Sequence, residues 1–143
     1  MSELVNVETS SLEGRALDWA VAIVEGWTPD RPQDGQLKKN GIIVLAGHHK
    51  PDGTKRYSFS PSTSWICGGP LIDKYHFDFT FERLGLVYAY PCDEAGKQVI
   101  YIYNDDYRAR YGDTHLIAMC RSLVHWKLGE VVTIPAALLE QTP

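Results

Sequence analysis

Residues 10–25 read SSLEGRALDWAVAIVE, and the predicted architecture rests on this segment. Its apolar residues recur every three or four positions, which predicts an amphipathic helix. Further aliphatic residues widen the apolar stripe until little of the helix is polar, so we expect cover on more than one side. Ser10 and Glu13 have the spacing of a capping box, and Gly26 is expected to follow the end of the helix.

A second helix is predicted near the other end of the chain, where residues 114–127 read THLIAMCRSLVHWK. Thr114 or Asp113 can cap its first turn, and Gly129 lies just beyond its last turn. The chain therefore carries one amphipathic helix near each end, and both must bury an apolar face. The stripe expected to face the core contains Leu116, Ile117, Cys120, Leu123 and Val124.

Short runs of β-branched and aromatic residues predict the strands. Residues 86–90 and 99–103 form the clearest predicted hairpin, and residues 42–45 and 57–59 form a second one. Residues 27–40 contain prolines and charges and are predicted to be a surface loop. The complete set of predicted strands is 42–45, 57–59, 76–82, 86–90, 99–103 and 131–134.

Strands in hairpin order, accompanied by two long helices, are typical of the α+β class. We predict a small, mainly antiparallel sheet packed with two long helices as a helix–sheet–helix layered sandwich. A single domain over residues 1–143 is expected, because a chain of 143 residues with 44% apolar residues suits one core.

Composition and charge argue against several classes of protein. The net charge of −4 provides no overall field for holding a polyanion. No apolar run approaches the ~20 residues that cross a membrane, and the N-terminus lacks the basic and apolar regions of a secretory leader. We therefore expect a soluble protein of the cytoplasm that does not act at a membrane.

The cysteines and known fingerprints indicate neither a metal nor a cofactor. Cys67, Cys92 and Cys120 are widely spaced and odd in number, so a disulfide framework is not expected. Zinc sites usually need four ligands in close pairs, and no second pair accompanies His48-His49. Phosphate-loop and dinucleotide fingerprints are absent. No catalytic residue is assigned.

The central loop, residues 60–72, is the strongest candidate for a site. It combines hydroxyl groups and an aromatic side chain with two glycines, which permit close approach of a ligand or a backbone. A helix start after the glycines could bind an anion. Alternatively, the loop is a capped turn in which the tryptophan fills the core. The candidate ligand-binding residues here are Ser62, Thr63, Trp65, Gly68 and Gly69.

Asp18 and Arg121 complete the candidate ligand-binding set. Asp18 lies within an otherwise apolar helix, where aspartate is a weak helix former. We expect it to accept a specific hydrogen bond, either from Arg121 or from the central loop. The carboxylate either faces a ligand or makes a structural bond, and the sequence leaves both interpretations open.

A basic segment offers a different type of interaction. Lys50, Lys55 and Arg56 lie on the predicted hairpin between residues 42 and 59 and are candidate contacts for nucleic-acid phosphates. A charged hairpin tip is, however, commonly just solvated.

Four tyrosines offer a further surface. Tyr88, Tyr90, Tyr101 and Tyr103 occupy the strands of the clearest predicted hairpin and could form a cross-strand aromatic ladder. If no helix covers that ladder, it is an adhesive patch for self-association or for a partner protein.

Five stretches of the chain, taken together, form the pattern of a known family. They are Leu12–Ala22, Ser60–Trp65, Gly68–Ile72, Gly112–Arg121 and Lys127–Glu130. With these stretches, the chain resembles the NinX-like family of small phage and prophage proteins. The resemblance implies a phage origin and layered helices and strands, and it brings no activity, cofactor or catalytic residue. His115 stands where the family usually has proline, and Ser64 where it usually has aspartate.

The residues and the resemblance together favour a phage-derived accessory protein that binds another protein without chemistry of its own. The expected partner is a host or phage protein, and a homo-oligomer is possible. One alternative is a nucleic-acid-binding accessory protein that uses the basic segment. Another is a small hydrolase or transferase that uses the central loop, in which Cys67 is the candidate thiol.

Overall fold

The computed structural model describes residues 4–31, 35–47, 57–99 and 107–139. The elements in chain order are β1 (Leu4–Glu8), α1 (Gly14–Val24), β2 (Thr28–Arg31), β3 (Gln36–Lys39), β4 (Ile42–Ala46), β5 (Tyr57–Phe59), α2 (Trp65–Lys74), β6 (Phe77–Arg83), β7 (Leu86–Pro91), β8 (Tyr111–Gly112), α3 (His115–Leu128) and β9 (Val131–Pro135). The predicted α+β class is confirmed. The described residues form three α-helices where the sequence predicted two long ones.

Helix α1 begins three residues later than predicted, with its N-cap at Glu13 instead of Ser10. Gly14 adopts a φ of 57°, so the chain cannot run smoothly from Ser10 into the helix. Residues 9–11 form a separate 3₁₀ turn, and Glu13 occupies the N-cap without a side-chain cap bond. The predicted capping box is therefore wrong. The expectation of cover on several sides is confirmed, because all seven residues from Ala16 to Ala22 are buried.

Helix α3 lies at the centre of the fold. Its predicted cap is confirmed, because Thr114 Oγ1 accepts a hydrogen bond from the Ile117 amide at 3.2 Å. One side of α3 packs against α1, and other parts contact α2, β7 and β8. Its apolar residues therefore join the largest core cluster together with those of α1.

The strands in the described part of the chain form three small sheets instead of one. They are the pair β1–β9, the four-stranded sheet β2–β3–β4–β5 and the three-stranded sheet β6–β7–β8. Every pairing is antiparallel except β4–β5, which is parallel. The predicted hairpin between residues 42–45 and 57–59 is therefore wrong. The apolar runs located these strands, but such runs do not encode the direction in which two strands pair.

Two further strand predictions have different outcomes. Residues 27–40 are not a plain loop, because β2 and β3 form an antiparallel pair within them. The β7 side of the clearest predicted hairpin is present, and the Val99 amide donates to the Pro91 carbonyl at 2.8 Å. Residues 100–103 of its second strand lie outside the described residues.

The ends of the helices are tied together around Glu25, the C-cap residue of α1. Its carboxylate forms an ion pair with Lys74 at 2.9 Å and accepts a hydrogen bond from the hydroxyl of Tyr75. Lys39 donates to the Glu25 carbonyl at 2.8 Å, which is favourable at the negative end of a helix dipole. The Tyr75 ring packs edge-to-face against Trp126 of α3. These contacts fix the C-terminal end of α2.

Candidate functional site

The central loop is fastened to helix α1 by one buried hydrogen bond. The Ser62 amide donates to Asp18 Oδ1 at 2.9 Å, and each residue is only 2% exposed. Of the two donors predicted for Asp18, the central loop is therefore the one observed. The Ser62 hydroxyl also faces this carboxyl, although its oxygen makes no hydrogen bond of normal geometry with any residue that the structure describes.

Burial makes the Asp18 carboxyl an unusually weak acid. Desolvation raises its pKa from the ordinary 3.8 to about 6, and the hydrogen bond from the Ser62 amide and the charge of Arg15 only partly oppose this rise. Cys120 of α3 lies nearby. Burial first, and the Asp18 charge second, raise the pKa of its thiol well above the usual value. This thiol is therefore a core group rather than a nucleophile.

Gly68, in the first turn of α2, lies where α2 packs closely against Pro61 of the central loop and Leu116 of α3. A Cβ atom at this position would collide with the Pro61 carbonyl and would lie 2.8 Å from Leu116 Cδ2. Glycine is therefore required because two chain segments approach closely here. The prediction that a glycine permits close approach of another backbone agrees with this packing. Gly69 is different, because the nearest atom to its added Cβ is Trp65 Cε3 at 3.9 Å.

The first turn of α2 presents apolar side chains to solvent. Trp65 is 60% exposed and Ile66 is 89% exposed. Pro70, one helical turn after Ile66, is also exposed. The sequence alternative in which Trp65 fills the core is therefore wrong. We call Trp65, Ile66 and Pro70 the α2 patch.

The rest of the predicted set does not converge on an open cleft with Asp18. Thr63 is exposed, and Ser64 is the N-cap of α2 without a side-chain cap bond. Arg121 lies elsewhere: its Nε donates to the Leu12 carbonyl at 2.8 Å and its guanidinium donates to the Tyr111 carbonyl at 3.1 Å. Arg121 therefore joins the start of α1 to β8.

Ile66 of the α2 patch was not among the site residues predicted from the sequence. The available signal was the four-residue spacing of Ile66 and Pro70, which places them on one side of a helix, with Trp65 next to Ile66 in the chain. This spacing indicates a shared surface only if residues 65–74 are known to be helical. Two glycines and a proline within this stretch predicted short turns instead.

The tyrosine ladder is present in part and has a member that the sequence missed. The rings of Tyr88 and Tyr90 stack with centroids 6.4 Å apart, and Tyr111 lies 5.5 Å from Tyr88. The other two predicted members, Tyr101 and Tyr103, lie outside the described residues. The basic candidates Lys50, Lys55 and Arg56 also lie outside them.

The Cys67 thiol is the remaining candidate for chemistry in the central loop. Cys67 is half-buried, and its Sγ lies 3.9 Å from the Ser58 carbonyl. Within the part of the chain that the structure describes, no group of three or more His, Cys, Asp or Glu side chains could hold a metal ion. None of the helices in those residues has the length and apolar character needed to span a membrane.

Comparison with known proteins gives a family. The model of the family described as "Bacteriophage P22, NinX" matches residues 8–127, which is well over half of the 143-residue chain. No curated protein shows significant similarity to the chain. The matched span contains α1, the central loop, α2 and nearly all of α3, so the resemblance inferred from those segments is confirmed. The chain therefore belongs to the bacteriophage P22 NinX family of phage proteins.

Proposed function

We propose that this phage accessory protein acts in the cytoplasm as a non-enzymatic module that binds another protein through the α2 patch. The observation that carries the proposal is the exposure of Trp65 and Ile66 side by side at the start of α2. Tryptophan dominates many protein interfaces because it buries a large apolar area with few rotatable bonds.

The packing beneath the patch supports this role. Asp18 and Gly68 fix the segment just before and within the first turn of α2. Glu25 fixes its other end through Lys74. An apolar surface held at both ends loses little conformational entropy on binding, so more of its burial energy appears as affinity.

The expected partner surface is an apolar pocket or groove on a host or phage protein. Trp65 would insert as the anchor, and Ile66 and Pro70 would lie beside it. A buried anchor of this type typically contributes at least about 2 kcal/mol, which corresponds to roughly thirtyfold in affinity.

The test compares two equally exposed apolar residues. Leu84, in the turn between β6 and β7, is 90% exposed, against 89% for Ile66. Tagged wild type, I66K and L84K are used to capture proteins from phage-infected cells, and any captured protein is purified and titrated against each variant. Circular dichroism first establishes that both variants fold.

We expect one protein to bind wild type and L84K alike and to bind I66K at least about thirtyfold more weakly. The proposal fails if I66K and wild type bind with the same affinity. It also fails if L84K weakens binding as much as I66K, because the effect then comes from added charge in general.

A further inference from the structure

Within the residues that the structure describes, no strand pairs with the outer edge of β9. The backbone groups on this edge can be assigned from the pairing of β9 with β1. The Thr9 amide donates to the Glu130 carbonyl at 2.8 Å, and the register continues through Val7↔Val132 and Asn6↔Thr133. Hydrogen-bonded and non-hydrogen-bonded pairs alternate along an antiparallel ladder. The amide and carbonyl of Thr133 therefore point away from β1, as do those of Val131.

A groove runs along this edge. It has a volume of about 290 Å³, and four consecutive residues of β9, from Val131 to Ile134, line it. Side chains alternate between the two faces of a strand, so a groove touching four in succession follows the edge and not one face. Its other wall is formed by Trp19, Ala20 and Ile23 of α1 and by Leu128.

The rim of the groove is apolar and exposed. Val131 is 53% exposed and Leu128 is 39% exposed. Natural edge strands usually carry charges, prolines or bulges that prevent pairing with another chain. Residues 131–134 contain no charged side chain and no proline, and Pro135 comes only at the end of the strand.

The outer edges of β6 and β1 differ in this respect. On β6, the Cys92 amide donates to the His76 carbonyl, so by the same alternation the Phe79 amide points outward. That amide is already occupied by Asp78 Oδ1 at 2.9 Å. The outer edge of β1 carries Glu8, whose charge opposes burial. Among these three edges, β9 alone lacks such protection.

We propose that two copies of this chain associate through antiparallel pairing of their β9 strands. With Thr133 opposite Thr133 of the second copy, residues 131–135 overlap completely and Val132 faces Ile134. The two threonines exchange two backbone hydrogen bonds, and each Val131 amide can donate to the Pro135 carbonyl opposite. The joined strands extend the β1–β9 pair to four strands.

A second copy is the occupant that this edge favours. The strand is its own complement, because the outward donors and acceptors match under two-fold rotation and no like charges meet. The Val132 and Ile134 side chains of both copies also lie on the face toward α1, where the groove is apolar. The interface is small, so we expect a dissociation constant on the order of micromolar.

The test uses proline at matched positions on the two edges of the same pair of strands. T133P removes the outward donor of β9, and N6P removes the outward donor of β1. Both variants lose the same hydrogen bond, from Thr133 Oγ1 to Asn6 Oδ1 at 3.0 Å. Neither variant removes a backbone hydrogen bond between β1 and β9. Because both variants lose the same side-chain hydrogen bond, that loss cannot explain a difference in association between them.

Sedimentation equilibrium follows the apparent mass from roughly 0.1 µM to 100 µM protein. For wild type and N6P we expect the mass to rise from 16.1 kDa toward twice that value. For T133P, which loses the two central backbone hydrogen bonds, we expect association about thirtyfold weaker.

Lysine variants provide the second pair if a proline variant fails to fold. Val131 and Leu4 are 53% and 57% exposed, and V131K should abolish association whereas L4K should not. A monomeric wild type over the whole range overturns the proposal, as does a T133P or V131K variant that associates like wild type. If the wild type stays monomeric but captures an extended Val/Ile-rich peptide, the edge belongs to a different partner.

Discussion

Replacing Asp18 with asparagine removes a buried charge and keeps an oxygen that can accept the Ser62 amide. Asp18 is 2% exposed and its pKa is raised from 3.8 to about 6. The new amide group can donate to the buried Ser62 hydroxyl, which lacks a hydrogen-bond partner of normal geometry within the described residues. We therefore expect D18N to fold and to be more stable than wild type at neutral pH.

The magnitude follows from the difference between the folded and unfolded pKa values. A rise from 3.8 to about 6 is about 2.2 pKa units, which corresponds to about 3 kcal/mol. The folded state keeps the Asp18 proton in a pH range where the unfolded state has already released it. Stability from this group is therefore present below pH 3.8 and lost as pH rises through 6. D18N lacks this loss.

The assay is urea unfolding of wild type and D18N at a series of pH values from about 4 to 7.5. The difference in unfolding free energy should grow in favour of D18N by up to about 3 kcal/mol across this range. D73N is the control, because Asp73 is exposed on α2 and its substitution changes the net charge equally. A wild-type-to-D18N difference that stays constant with pH would refute the assignment of a buried, weakly acidic carboxyl.

Four further substitutions, three in the central loop and one at the start of α3, are each tested by urea unfolding. G68A should lower the free energy of unfolding by at least about 2 kcal/mol, because its Cβ would collide with the Pro61 carbonyl. G69A should leave the free energy of unfolding unchanged or raise it by up to about 1 kcal/mol. Equal effects of the two substitutions would contradict this packing. T114A should cost about 1 kcal/mol through loss of the α3 cap, and an unchanged midpoint would contradict that cap. S64D should stabilise by about 0.5–1 kcal/mol, because Ser64 is an N-cap without a side-chain cap bond and aspartate favours that position; a loss of stability would argue against the helix start.

The sequence predicted elements well where the signal was local. The period of apolar residues located α1 and α3, and Thr114 identified the start of α3 within one residue. The strands at residues 77–83 and 86–91 followed from alternation and a short connection. In each case the deciding residues lie within a few positions of one another, so the pattern alone contains the information.

Predictions from neighbouring residues were wrong where the local structure depends on contacts with residues far away in the chain. Helix α2 was missed because Gly68 and Pro70 normally interrupt helices, yet Gly68 is needed where Pro61 and Leu116 press against it. The β4–β5 pair was given the wrong direction, since a strand pattern does not specify its partner. Its connecting residues lie outside the described part of the chain.

The order of amino acids was enough to predict the α+β class, one helix near each end of the chain, the phage family and the unusual position of Asp18 within an apolar helix. The folded molecule was needed to show that Asp18 holds Ser62, 44 residues away, and that Trp65 and Ile66 face solvent. It also shows that no strand among the described residues pairs with the outer edge of β9. Periodicity records which residues need burial. Which distant surface buries them, and which is left over, depends on contacts between segments far apart in the chain.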